Sequence, residues 1–206
     1  MGTTNDPPAR SPQSRILSSA SSVFAARGFN GGSLTDIAGG AKMTRPGVLH
    51  HYPSKQAVLL ALLEERDQGL QLLLPDTGHW TLGEVLSGLD DLFAAILEDR
   101  ELVQLAHVLT AEAASADHPA RPWVVRRHTL LRQSLSKAIE NSHEVGELAS
   151  PVDPAALASA LLGVIEGIEN QWLVSPDGFD ARGALRAFCK VLVSGLIQPS
   201  GVLPTN

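Results

Sequence analysis

Apolar residues recur at spacings of three and four along most of the chain, and strict alternation is nearly absent. Ile16, Leu17, Ala20, Val23 and Phe24 fall on one helical face. Ser11 as N-cap and Pro12 at the first helical position start that helix, and Gly28 can end it in a left-handed conformation. Ser33 with Asp36 three positions later makes a capping box in its acidic form, ahead of Leu34, Ile37, Ala38 and Ala41. The next run, "MTRPGVLHHYPSK" from Met43 to Lys55, is a poor helix by propensity. It becomes readable with Thr44 as N-cap, because proline and glycine then sit in the first turn, where proline breaks no intrahelical bond. Val48, Leu49 and Tyr52 are then expected to face inward, and Pro53 ends the helix. Three short helices with a tight turn between the second and third form a helix-turn-helix unit.

Longer periodic segments follow. Val58, Leu59, Leu62 and Leu63 predict a helix over about 54–74, and Thr81 with Glu84 makes a second capping box ahead of Leu82, Leu86, Leu89 and Phe93. Helices are expected over about 100–114 and 120–145, separated near Asp117-His118-Pro119 and ending near Gly146. Asp153-Pro154 starts another that reaches about Val174, and Asp180 a last one that reaches about Ile197. The expectation is an all-α protein of about nine helices, divided into a flexible arm (1–9), a helix-turn-helix domain (10–55), a larger helical domain (56–198) and a tail (199–206).

Charge sharpens this division. Residues 1–55 hold six basic side chains against two acidic ones, a net +4; the remainder holds ten against twenty, a net −10. A basic head on an acidic body points to a polyanion that meets the first quarter alone. The single cysteine, Cys189, excludes an internal disulfide, and no apolar run approaches bilayer length. A cytoplasmic protein without membrane contact is expected.

The stretch Gly28 to Leu63, "GFNGGSLTDIAGGAKMTRPGVLHHYPSKQAVLLALL", resembles the DNA-binding region of TetR-family transcriptional regulators. Gly28-Phe29, the Ser33/Asp36/Ile37/Ala38 cluster and His50-His51-Tyr52-Pro53-Ser54-Lys55 carry the likeness, and "GVIEGIENQWLVSPDG" is similar to a penultimate helix of that family. The resemblance implies a homodimer on a palindromic double-stranded operator, with the third helix in the major groove and a C-terminal domain holding a small-molecule effector. Carried onto this chain, it implies that Thr44, Arg45, Pro46 and Gly47 face the groove, with Arg45 the best donor to a guanine. Gly47 would allow close approach, and His50 and His51 would lie toward phosphates. Ser33 and Thr35 on the second helix and Lys55 opening the fourth would complete the DNA-binding set. Two departures stand out: Leu49 replaces a common tyrosine, and Lys42 replaces the usual turn glycine and could supply a phosphate contact.

Other chemistry finds little support. His50 and His51 are adjacent, so they point to different helix faces and lack a third ligand. Glu140 and His143 have the Glu-x-x-His spacing of di-iron bundles, but no second copy exists. No phosphate loop or nucleophile elbow appears, so neither metal, cofactor nor catalysis is expected. Phe93, His107, Trp123, His128 and Trp172 are candidates to line an effector pocket. Ala156, Ala160, Gly163 and Gly167 form a small-residue stripe that packs either within the chain or against a twin chain. A repressor released by its effector is the leading function. An activator, or a helical-bundle enzyme or carrier whose first helices serve only packing, remain the alternatives.

Overall fold

The computed structural model describes residues 11–73 and 78–198. The expected arm (1–9) and tail (199–206) lie outside the described residues. Nine helices occur among them: α1 (Pro12–Gly31), α2 (Leu34–Gly40), α3 (Arg45–His51), α4 (Lys55–Leu73), α5 (Leu82–Glu98), α6 (Arg100–Glu112), α7 (Arg121–Glu144), α8 (Pro154–Val174) and α9 (Ala181–Leu196). The one strand-like feature described is an isolated antiparallel bridge between Leu148 and Ile197.

The chain separates into two compact units: residues up to 70 with 104–121, and 71–103 with the remainder from 122. This differs from a boundary at 55, and core size explains why. Helices α1 to α3 bury Ile16, Leu17, Ala20, Phe24, Ile37, Ala38 and Val48, a small core for so short a segment. Val58, Leu59, Leu62 and Leu63 of α4 are also buried in this unit, as are Leu105 and Leu109 of α6.

Local signals set the helix starts. Ser11 Oγ accepts from the Ser14 N–H at 3.1 Å, and Asp180 and Asp153 cap α9 and α8 in the same manner. Gly28 takes φ +69°, so α1 proper stops there, as its sequence suggests; the chain makes one more turn to Gly31. Glu112 receives the N–H groups that this kink releases, from Phe29 at 2.7 Å and Asn30 at 3.3 Å. A Cβ on Gly28 would fall 2.3 Å from Glu112 Oε1, so the glycine serves both the dihedral and the approach of the carboxylate.

In the second unit α5, α7, α8 and α9 enclose two apolar clusters. Leu82, Leu86, Ile139, Leu148, Ala158 and Leu161 form one, and Phe93, Ile168, Ala181 and Leu185 the other. Glu147 fastens the start of α5, accepting from Thr81 Oγ1 at 3.0 Å and from Ser142 Oγ. Asp90 on α5 is bracketed by Arg182 and Arg186 of α9. The hydrogen bond from Arg182, more than any other contact, holds its carboxyl below the usual range.

Candidate nucleic-acid interface

The second helix begins with a closed cap. Ser33 Oγ accepts from the Asp36 N–H at 3.1 Å, while Asp36 Oδ2 accepts from the Ser33 N–H at 3.1 Å and its hydroxyl at 2.6 Å. Arg27 adds a 3.0 Å ion pair to the other carboxylate oxygen. The Ser33 hydroxyl, followed by the charge of Arg27, lowers the Asp36 pKa. Because the Ser33 proton already points to Asp36, it has none to offer a phosphate. Thr35, on the outer side of the same helix, is exposed.

Lys42 forms the turn into α3 at φ +56°, the one described non-glycine residue with positive φ. Thr44 then caps α3, its Oγ1 accepting from the Gly47 N–H at 3.2 Å. Thr44, Arg45 and Pro46 are exposed in and just before the first turn, while Val48 is buried. A Cβ on Gly47 would stand 3.3 Å from Thr44 Oγ1 and 3.5 Å from Met43 Cε. The absent side chain therefore leaves room for the cap, a role the sequence did not suggest. His50 is exposed and His51 half-buried at the end of the helix, with their rings edge to face at 5.4 Å.

Two expectations need correction. Leu49, expected inward, is 36% exposed and lies on the outer side of α3. Lys55, expected on phosphate, turns inward instead. Its Nζ donates to Phe29 O at 2.7 Å and Gly32 O at 3.0 Å, and it lies 4.3 Å over the Phe29 ring. Carbonyls at the end of α1 lack helical partners, and an ammonium with an aromatic face beside them satisfies them well. On the other side of Phe29 the His118 ring packs edge-on at 5.4 Å, with its Nε2 3.4 Å from Glu112 Oε2. Lys55, Phe29, Glu112 and His118 thus fix the α1–α2 junction that carries the helix-turn-helix. Sequence reasoning missed Glu112 and His118, which lie more than 80 residues beyond Phe29 with no spacing to signal the contact.

Of the five candidate effector residues, Phe93, Trp123, His128 and Trp172 belong to one compact unit. Phe93 is fully buried, and Trp172 packs against its cluster, so Phe93 is core and lines no cavity. Trp123 lies 5.9 Å from the Arg127 guanidinium, and His128 Nε2 is 3.0 Å from Glu166 Oε1. His107 belongs to the other compact unit. Glu166 and the buried Glu169, two carboxylates in an otherwise apolar stretch of α8, were not singled out by the sequence. Among the described residues no group of three or more metal-ligating side chains occurs. No described helix is long and apolar enough to cross a membrane.

The small-residue stripe faces outward in the single chain. Ala156, Ala160 and Gly163 are exposed and Gly167 half-buried, and no atom lies within 4 Å of a Cβ built on either glycine. Among the described residues, no other element therefore packs closely against Gly163 or Gly167.

An exposed helix start preceded by a basic turn and carried on a three-helix unit is the arrangement of a helix-turn-helix DNA reader. Comparison with known proteins agrees. The model of bacterial regulatory proteins of the TetR family matches residues 16–62. The model of the C-terminal region of BetI-type transcriptional repressors matches residues 84–198. The transcriptional regulator TtgR of Pseudomonas putida is 24% identical over 181 residues, covering 85% of this chain and 86% of its own. A structure of a SmeT–triclosan complex superposes with TM-score 0.77 at 19% identity, covering 96% of this chain and 97% of that one. A second SmeT structure, described as the repressor of a Stenotrophomonas maltophilia multidrug efflux pump, gives TM-score 0.70 at 18% identity and 96% coverage of both chains. The chain belongs to the TetR family of bacterial regulatory proteins. It is a DNA-binding transcriptional regulator and not an enzyme.

Proposed function

We propose that the protein is a cytoplasmic homodimeric repressor that binds a palindromic operator through α3 and leaves it when a small organic effector binds the C-terminal unit. The observation that carries this reading is the exposed run Lys42, Thr44, Arg45 and Pro46, fixed from behind by the Lys55 and Glu112 contacts at the α1–α2 junction. Arg45 reads a guanine edge, and Lys42, Thr35 and His50 meet the backbone. His51 lies at the edge of this footprint, while Ser33 and Lys55 act inside the protein as supports.

The dimer joins through the outer side of α8 and α9. Ala156, Ala160, Gly163 and Gly167 continue along α8 to Val174, which is 85% exposed, and α9 adds Val191, 69% exposed. An apolar row of small residues with no partner of its own suits close contact with a second copy. The likeness to SmeT, solved with triclosan, supports an effector of small organic type. Helix α6 supports a route for its signal, because Arg100–Val103 belong to one compact unit and Gln104–Glu112 to the other. Glu112, at the end of that helix, holds the backbone of Phe29 and Asn30. A ligand that favours a different position of α6 therefore acts on the α1–α2 junction directly. Such coupling is reciprocal, so operator weakens effector binding by the same factor.

The test is Arg45→Ala on duplexes recovered from a random pool. A lost bidentate base contact costs about 1–3 kcal/mol at the preferred site and relaxes preference at one base position. Unchanged affinity and preference would show that α3 does not read the site.

A further inference from the structure

One cleft in the N-terminal unit adjoins the recognition surface at Lys42 and extends it toward α1. It lies between α1 and the α2–α3 turn, encloses about 400 Å³, and is lined by Arg15, Ser18, Ser19, Ser22 and Lys42. Gly40 keeps its inner wall open, since a Cβ there would fall 2.3 Å from Ser19 Oγ. The Ser19 hydroxyl is tied to Ile37 O at 2.9 Å, which fixes that wall to α2. No carboxylate lines the cleft among the described residues, so its two cations are not neutralised from within.

Arg15 and Lys42 bring two cations to one cleft, and a phosphate is the group that such a pair would hold. The backbone of Lys42 points the same way. Its φ of +56° is a region that side chains other than glycine, asparagine and aspartate seldom adopt. Its backbone N–H donates to Gly39 O at 3.1 Å, a bond that glycine would make as well. What lysine adds at this strained position is a cation at the cleft, and strain of this kind points to function.

We propose that the cleft binds one phosphate of the DNA backbone, held jointly by Arg15 and Lys42. This rests on the DNA-binding reading above: Lys42 is two residues before the cap of α3, so the phosphate belongs to the strand flanking the bases that Arg45 reads. Arg15 thereby joins the DNA footprint from α1, outside the helix-turn-helix pair itself. The contact carries affinity and no base preference.

The experiment uses the full chain and the variants Lys42→Gly, Arg15→Gln and their combination. Affinity is measured between 50 and 200 mM KCl for a duplex recovered by selection and for an unrelated duplex of equal length. Losing one phosphate flattens the slope of log affinity against log salt by about 0.9, so the deficit of a variant shrinks about 3.5-fold over that range. Both duplexes are affected alike. The double variant loses about one contact, not two, because both side chains serve the same phosphate. Lys42→Gly melts no lower than the wild type, which separates lost binding from lost folding. Unchanged slopes in all three variants overturn the proposal while leaving the DNA-binding reading intact. A second arm adds millimolar inorganic phosphate at constant ionic strength without DNA. A rise in melting temperature that the double variant abolishes, together with unchanged salt slopes, assigns the cleft to a free phosphate and overturns the DNA contact. A wild type that binds neither duplex defeats the DNA-binding reading and the cleft with it.

Discussion

Replacing Gly163 by leucine separates what the helix prefers from what a dimer requires. In the single chain a Cβ at this position meets no atom within 4 Å, so the side chain enters open space. Leucine is also a better helix former than glycine by about 0.8 kcal/mol, which makes the isolated chain slightly more stable. In a dimer joined along this stripe the same side chain enters a close helix contact, where overpacking costs about 1–3 kcal/mol. Two-fold symmetry brings the substitution in twice, for about 2–6 kcal/mol per dimer. At about 1.4 kcal/mol per decade, dimer dissociation rises from roughly 30-fold to about 10⁴-fold. Sedimentation over a range of concentrations reads the association, and urea unfolding of the same samples reads the fold. The expected outcome is a monomer that still unfolds cooperatively, at a urea midpoint that no longer rises with protein concentration as the dimeric wild type's does. A variant that dimerises as tightly as the wild type would refute the assignment of α8 to the interface.

Three further outcomes follow from the contacts described. Gly28→Ala forces an L side chain into φ +69° at about 1–2 kcal/mol and displaces Glu112 from the Phe29 and Asn30 N–H groups, for a total of about 3 kcal/mol in urea unfolding; on a Glu112→Ala background the same change costs less, because the carboxylate is already gone. Lys55→Met lowers the melting temperature and leaves the salt dependence of DNA binding unchanged, since Nζ serves Phe29 O and Gly32 O and no phosphate. Asp90 has a lowered pKa in the folded chain, so its pairing with Arg182 stabilises at pH above the ordinary carboxylate value of about 3.9 and is lost as pH falls through the folded value. The melting difference between wild type and Arg182→Met is therefore steady from pH 7 to about 5 and vanishes in stronger acid; a difference that grows on acidification would contradict the pairing.

Much of the fold was legible because its signals are local. Ser11-Pro12, Thr81 with Glu84 and Asp180 act within one helical turn, and helix starts read from them fall within a residue or two of those observed. The kink at Gly28 was legible for the same reason. What fills the space beside it was not, because Glu112 arrives from α6 through tertiary packing alone. Lys55 shows a different limit: a motif says that a cation stands there, but the free carbonyls of Phe29 and Gly32 decide where it points. Leu49 was misread because a seven-residue helix buries only a narrow side, and Val48 occupies it. The effector candidates carry the weakest local signal. Aromatic and histidine content marks residues able to line a pocket, but Phe93 is equally suited to the core, and the apolar cluster around it holds it there.

The most direct test of the central claim is selection of bound duplexes from a random pool by the full-length protein. The expected result is enrichment of an inverted repeat whose half-sites lie about one helical turn, about 34 Å, apart, the spacing that two α3 helices of a two-fold dimer can reach together. Enrichment of no sequence, or of an isolated half-site without its inverted partner, would contradict a dimeric operator-binding regulator.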